Sequence, residues 1–172
     1  MPCVDWAYTN VRGALMANFA LGEKSITKLE GVRSDLVRVV KRAIELTSQD
    51  FMVLEGVRTE QRQRELYGHG RSAADLIVVG VDPALSKLTA KVVTWTLKSN
   101  HFAQADGFGH AVDLVPYPVD WNTLSKFDAI ADAMMRAAAE LGAKVRHGAD
   151  WDMDGKRREK GETDNPHFEL VV

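Results

Sequence analysis

The stretch SNHFAQADGFGHAVDLVP, residues 99–116, carries two histidines, His101 and His110, and an aspartate, Asp113, around a loop that holds Gly107 and Gly109. Its second half, HAVDLV, reads as a β-strand. On an extended strand Ala111 and Asp113 share one face, whereas His110, three residues from Asp113, points to the other. Whether this stretch holds a metal, and through which histidine, depends on what the rest of the chain can bring to it.

Outward from this stretch the pattern alternates between helices and strands. Upstream, Ser34 is a suitable N-cap, and Leu36, Val37, Val39, Val40, Ala43, Ile44 and Leu46 recur at helical spacing to about Ser48, which predicts an amphipathic helix. FMVLEGV, 51–57, reads as a short strand, and RTEQRQRELYGHG, 58–70, as a polar helix closed by glycines. Residues 73–98 are ambiguous: DLIVVGV and VVTWTL are β-prone, while DPALSKLTAKV could start a helix at Pro83. Downstream, Ser125 opens the clearest helix, KFDAIADAMMRAAAELG, which Gly142 closes, and HFELVV, 167–172, is a last strand. With no internal repeat and no linker, residues 19–172 form one α+β domain. Residues 1–18 are weakly patterned, and a loose N-terminal arm and a translation start at Met16 both fit them.

Composition narrows the function classes. The 172 residues are 45% hydrophobic and 27% charged, as in a globular domain with a real core. A formal net charge of −2 provides no field for nucleic acid or an anionic membrane surface. The local basic group Arg33, Arg38, Lys41 and Arg42 reads as a solvated helix face. No apolar run approaches the roughly 20 residues that span a bilayer, and the N-terminus lacks the pattern of a secretory signal. The single cysteine, Cys3, excludes an internal disulfide and a cysteine-based zinc cluster, leaving His, Asp and Glu as metal ligands.

The ligand-capable residues gather in 99–113 and in DNPHFEL, 164–170, where Asp164 precedes His167 by three. A catalytic zinc takes about three N or O ligands and keeps one position open. A nearby carboxylate can then accept a proton from attacking water. Histidines and aspartates in this number suffice for metal-assisted hydrolysis, although a lone histidine by a strand is more often structural and an aspartate beside glycine is usually a turn residue.

The motifs themselves carry a resemblance. SNH followed by GHAVD resembles the SxHxxGxAxD signature of the VanY-like D-alanyl-D-alanine carboxypeptidase family of zinc peptidases, and DNPHFEL is similar to their second signature. LEGVRTEQRQRELYGHGRS and GEKSITKLEGVRSDLVRVVKRAIEL further resemble the phage endolysin branch, the L-alanyl-D-glutamate endopeptidases. The likeness covers roughly residues 20–172, with three motifs in order. It implies a hedgehog-like or D-Ala-D-Ala peptidase-like fold: a small antiparallel sheet bearing one Zn2+, with helices packed against it. It implies zinc held by His101, Asp113 and His167, Asp164 as general base, and Arg58 as the residue that binds substrate and stabilises the oxyanion. Gln63 either orients substrate or is a plain surface helix residue, and Ser99 supports the site by hydrogen bonding. The implied substrate is the stem peptide of bacterial peptidoglycan. The implied setting is a monomeric endolysin without a signal peptide, waiting in the host cytoplasm for release to the wall. A D-alanyl-D-alanine carboxypeptidase or dipeptidase, and a non-catalytic zinc-containing wall-binding module, are the alternatives.

One departure bears on the ligands. His101 and Asp113 are twelve positions apart, five more than in the signature, so His110 competes for the role. The divergence of His110 and Asp113 on the strand favours His101, brought back by a loop that the two glycines let turn tightly. A second acidic cluster, DWDMDG, 150–155, resembles the start of a Ca2+ loop through Asp150, Asp152, Asp154 and Gly155, although Glu162 comes one residue late. His147 stands where relatives of this family carry an aromatic residue, lining the cleft rather than binding metal.

Overall fold

The computed structural model describes residues 19–171, so the expectation for the N-terminal arm lies outside the described residues. Short helix α1 (Glu23–Lys28) precedes α2 (Ser34–Leu46), β1 (Phe51–Glu55), α3 (Glu60–Tyr67) and α4 (Ala73–Val78). After a 3-10 turn at Pro83–Leu85 come β2 (Ala111–Pro116), α5 (Leu124–Leu141), β3 (Val145–His147) and β4 (His167–Leu170). The strands form one antiparallel sheet in the order β1-β2-β4-β3.

The period-two alternation of the strands separates two functions onto two faces. Phe51, Val53, Val112, Leu114, Val145, Phe168 and Leu170 are buried in one core with the apolar stripes of α2 and α5. The α2 stripe is Leu36, Val39, Val40, Ala43 and Ile44, and α5 contributes Ile130, Ala131, Ala133, Met134, Ala137 and Ala138. Asp113, His167, Glu169 and Arg146 occupy the alternate positions and so point to the opposite face. Their registers are direct: Asp113 pairs with His167, and Arg146 with Glu169. In β1 the register slips between Val53 and Glu55, so that Val53 opposes Leu114 while Glu55 opposes Asp113. This bulge turns Glu55 from the core face to the functional face.

Several expectations meet corrections. β1 stops at Glu55 rather than Val57, and beyond its end Gly56 passes so close to the Lys28 carbonyl that a Cβ there would lie 1.9 Å from it. DLIVVGV is not a strand: Ser72 and Asp75 form a reciprocal capping box that starts α4. VVTWTL runs without regular strand structure, and Pro83 starts only a single 3-10 turn. α5 begins at Leu124, one residue before the expected Ser125, after a turn in which Asp120 accepts from the amides of Asn122 and Thr123. Its end is as expected, with Gly142 left-handed at φ 65°.

His147 is a further correction. It does not line the cleft but lies buried on β3, stacked on Phe168 with ring centroids 4.6 Å apart, its Nε2–H donating to the Asn165 carbonyl. Burial pulls its imidazole down to about 4, against the bond to Asn165. The unfolded chain, with an ordinary histidine near 6.5, therefore binds a proton across that interval that the folded chain refuses. Stability is expected to fall as pH drops from about 6.5 to about 4, with this residue contributing a slope of about 1.4 kcal/mol per pH unit. Chemical denaturation of His147→Phe over the same range should show a slope shallower by that amount; an unchanged slope would count against it.

Candidate metal centre

Three side chains converge above the functional face of the sheet. His101 Nε2 lies 3.2 Å from Asp113 Oδ1 and 3.3 Å from His167 Nδ1, and His167 Nδ1 lies 3.2 Å from the same Asp113 oxygen. Asp113 and His167 arrive as a cross-strand pair. His101 arrives from the loop, and the way that loop closes absorbs the five additional residues. His110 donates its backbone N–H to the Asn100 carbonyl at 2.7 Å, so the ends of the excursion meet. Within it, Gln104 and Phe108 bond across a turn where Gly107 takes φ 84°. The insertion thus loops outward and leaves His101 at the site. His110 faces away, with Nε2 donating to Asp106 at 2.8 Å.

The outer bonds decide which nitrogens face inward. His101 Nδ1 is 2.6 Å from the Gly56 carbonyl, which can only accept, so Nδ1 carries the proton and Nε2 offers a lone pair. His167 Nε2 lies 3.0 Å from Glu169 Oε2, which leaves Nδ1 as the inward lone pair. With His167 neutral, two bare imidazole nitrogens and a carboxylate oxygen face one another with no proton between them, an arrangement that repels unless a cation sits among them. A tetrahedral zinc with Zn–N of about 2.0–2.1 Å would set its ligand atoms roughly 3.3–3.4 Å apart, close to the triangle found here. The donor set and the outer-shell partners fit such an ion. In the metal-free chain a proton takes its place: burial works against the His167 imidazolium, but bonds to Asp113 and Glu169 hold its pKa up at about 9. Burial likewise works against the Asp113 carboxylate, and the two histidines outweigh it, holding Asp113 well below the usual carboxylate range.

Arg58 occupies the flank. Its Nη2 donates to Asp113 Oδ2 at 2.9 Å and to Glu55 Oε2 at 2.6 Å, and its Nη1 donates to Gln63 Oε1 at 2.8 Å. Of the five guanidinium N–H groups these bonds commit three, and Nε is buried without a partner. Arg58 therefore grips the oxygen of Asp113 that faces away from the triangle. Gln63 is not a surface residue: it is 1% exposed, and its amide donates to Thr94 Oγ1 and the Thr96 carbonyl. Both of its polar ends are bonded to the protein, the amide oxygen to Arg58. Ser99 Oγ accepts from the His101 amide at 3.2 Å, bracing the turn that delivers the histidine.

Asp164 is solvent-accessible within the cleft that also exposes the triangle. Loss of surrounding water raises its carboxyl above the ordinary range, with the Asp113 charge adding to that and His167, His101 and Arg58 opposing it. Its place depends on Gly148, where a Cβ would lie 2.5 Å from the Asp164 carbonyl and 3.0 Å from the His167 Cβ. Gly148 and Glu169 are functional residues that motif reading missed. Glu169 had a signal, since it lies two positions after His167 on a strand and so shares its face. It also accepts from Asn100 and Arg146, and these three donors outweigh burial and hold its carboxyl well below its usual value.

In the acidic loop, Asp150, Asp152 and Glu162 bring one oxygen each within 4.8 Å of one another, so Glu162 reaches the group despite its late position. Its Oε1 accepts from the Trp151 and Asp152 amides, while its Oε2 is buried without a partner.

Comparison with known proteins places the chain among relatives. The chain matches the family described as phage L-alanyl-D-glutamate peptidase over residues 16–171. It is 32% identical, over 160 residues, to the L-alanyl-D-glutamate peptidase of Escherichia phage T5, covering 90% of this chain and 99% of that one. The crystal structure of the Serratia marcescens L-Ala D-Glu endopeptidase ChiX superposes with a TM-score of 0.60 at 30% identity, covering 90% of this chain and 91% of that one. The chain is a peptidase and belongs to the phage L-alanyl-D-glutamate peptidase family.

Proposed function

We propose that the protein is a zinc-dependent peptidoglycan endopeptidase that hydrolyses the L-alanyl-D-glutamate bond of cell-wall stem peptides. The observation that carries this reading is the triangle of His101, Asp113 and His167, with inward lone pairs fixed by outer hydrogen bonds and with Asp164 beside it in an open cleft. The bond is the one named for the phage T5 and Serratia relatives, which favours it over the D-alanyl-D-alanine alternative. As an endolysin the chain would wait in the host cytoplasm as a monomer until the membrane opens; among the described residues no helix is long and apolar enough to cross a membrane.

Zinc held there would supply Lewis acidity toward a peptide carbonyl and make water a nucleophile near neutral pH. The chain's own groups do the rest. Asp164, with its raised proton affinity, takes a proton from the attacking water and returns it to the departing amine. Arg58 holds Asp113 by its outer oxygen and keeps positive charge beside the carbonyl as its oxygen becomes anionic. Glu169 and the Gly56 carbonyl fix the ring orientations of His167 and His101.

Incubation with muropeptides and mass analysis of the fragments should reveal a new N-terminal D-glutamate, whereas release of D-alanine or its dipeptide would favour the alternative. Asp164→Asn should retain zinc and lose activity by roughly 10²- to 10⁴-fold; loss of metal along with activity would place Asp164 among the ligands instead. His101→Ala should lose stoichiometric zinc by elemental analysis, whereas His110→Ala should keep it, and the reverse would exchange their roles.

The unpartnered Glu162 Oε2 supports a Ca2+ ion in the acidic loop with Asp150 and Asp152, joined by the neighbouring Asp154. Calcium titration with zinc saturating should change the fluorescence of Trp151. No response at millimolar calcium would remove this ion from the reading.

A further inference from the structure

The segment 92–96 lies along the metal cleft as a strap without regular strand structure, and one of its side chains is exposed to an unusual degree. Trp95 is 83% exposed, although tryptophan is among the side chains most buried on average. It lines the same cleft of about 1470 Å³ as His101, Asp113 and His167.

The backbone on either side of Trp95 is held firmly. Gln63, itself buried, donates to Thr94 Oγ1 at 3.1 Å and to the Thr96 carbonyl at 2.7 Å. Arg71 Nη2 donates to the Thr94 carbonyl at 2.9 Å. The Arg71 guanidinium lies 3.7 Å from the centre of the Tyr67 ring and 5.6 Å from that of Trp95. Two side chains from outside the strap thus fix the base of an indole whose ring remains open to solvent. An apolar face presented in this way at a cleft marks a binding surface.

The position of the strap limits what could lie on that face. Gln63 joins the strap to Arg58, and Arg58 grips Asp113, so Trp95 stands a few side chains from the metal triangle. The rest rests on the proposed function. In peptidoglycan the L-alanine of the stem peptide is amide-linked to the lactyl group of a sugar. In a bond cleaved between that alanine and D-glutamate the reacting carbonyl is the alanine's own, and only the rest of that residue and the lactyl group separate it from a pyranose ring. The C–H face of a pyranose packs on an indole, while its rim of hydroxyl and acetamido groups stays in water.

We propose that Trp95, buttressed by Arg71 and Gln63, is a saccharide platform that binds the glycan next to the scissile bond and makes the enzyme prefer sugar-linked stem peptides over free ones.

Two measurements test this. The first compares kcat/KM on one stem peptide, with and without its N-acetylglucosaminyl-N-acetylmuramyl disaccharide. The wild type should favour the linked form, and Trp95→Ala should reduce that preference about tenfold through KM, with Trp95→Phe retaining most of it. An equal loss on both substrates, or no change in the ratio, overturns the proposal. The second is calorimetric titration of the zinc-loaded protein with peptide-free, soluble glycan of the same disaccharide repeat. Binding weakened about tenfold by Trp95→Ala supports the platform, whether or not the peptide bond assignment is right. Absence of binding by the wild type, or binding indifferent to the substitution, overturns it. Failure of the endopeptidase reading would instead appear as no cleavage of either peptide by the wild type.

Discussion

The site depends on a repulsion that the fold imposes. His101 Nε2, His167 Nδ1 and Asp113 Oδ1 are pressed to within about 3.3 Å of one another, and the other nitrogen of each ring is occupied by an acceptor that forces the proton outward. Left to themselves these atoms would separate or capture a proton. They stay because each belongs to a different rigid support: Asp113 to the centre of β2, His167 to β4 opposite it, and His101 to a loop closed at its base. A cation is the ligand for which such a triangle is already organised, and its binding displaces the proton that His167 otherwise holds.

The supporting shell has the same logic. Each inward group has an outer partner that is itself held: Glu169 by Arg146 and Asn100, Arg58 by Glu55 and Gln63, and Gly56 by its packing on α1. Two local irregularities make this possible. The bulge in β1 turns Glu55 toward Arg58, and the absence of a side chain at Gly148 lets Asp164 and His167 approach. Both are small departures from regular sheet geometry, and both fall beside the site, where such departures re-aim side chains.

Much of this was legible in the chain. The apolar periodicity of 36–46 and the glycine at 142 predicted α2 and the end of α5 because helix burial and left-handed capping are local requirements. The extended pattern around Asp113 separated it from His110, since a strand side chain's face follows from position parity alone. Residues 73–98 were not legible. Their β-prone composition lacked any partner strand, so the capping box of Ser72 governed 73–78, and contacts from Gln63 and Arg71 shaped the remainder. His147 was misplaced for a related reason: its neighbour across the sheet, Phe168, determines whether it meets solvent or core.

The chemical kit, the α+β order of elements and the faces of individual strands follow from residue type and from spacings of a few positions. The outward course of the five additional residues, the places of Gln63 and Glu169 behind the ligands, and that of Trp95 at the cleft come from the packing of the folded chain. Several of those facts rest on contacts between distant residues, such as Gln63 with Thr94 and Glu169 with Asn100 and Arg146. Local propensity cannot encode them, because which groups meet is settled by how the sheet, helices and loops pack together.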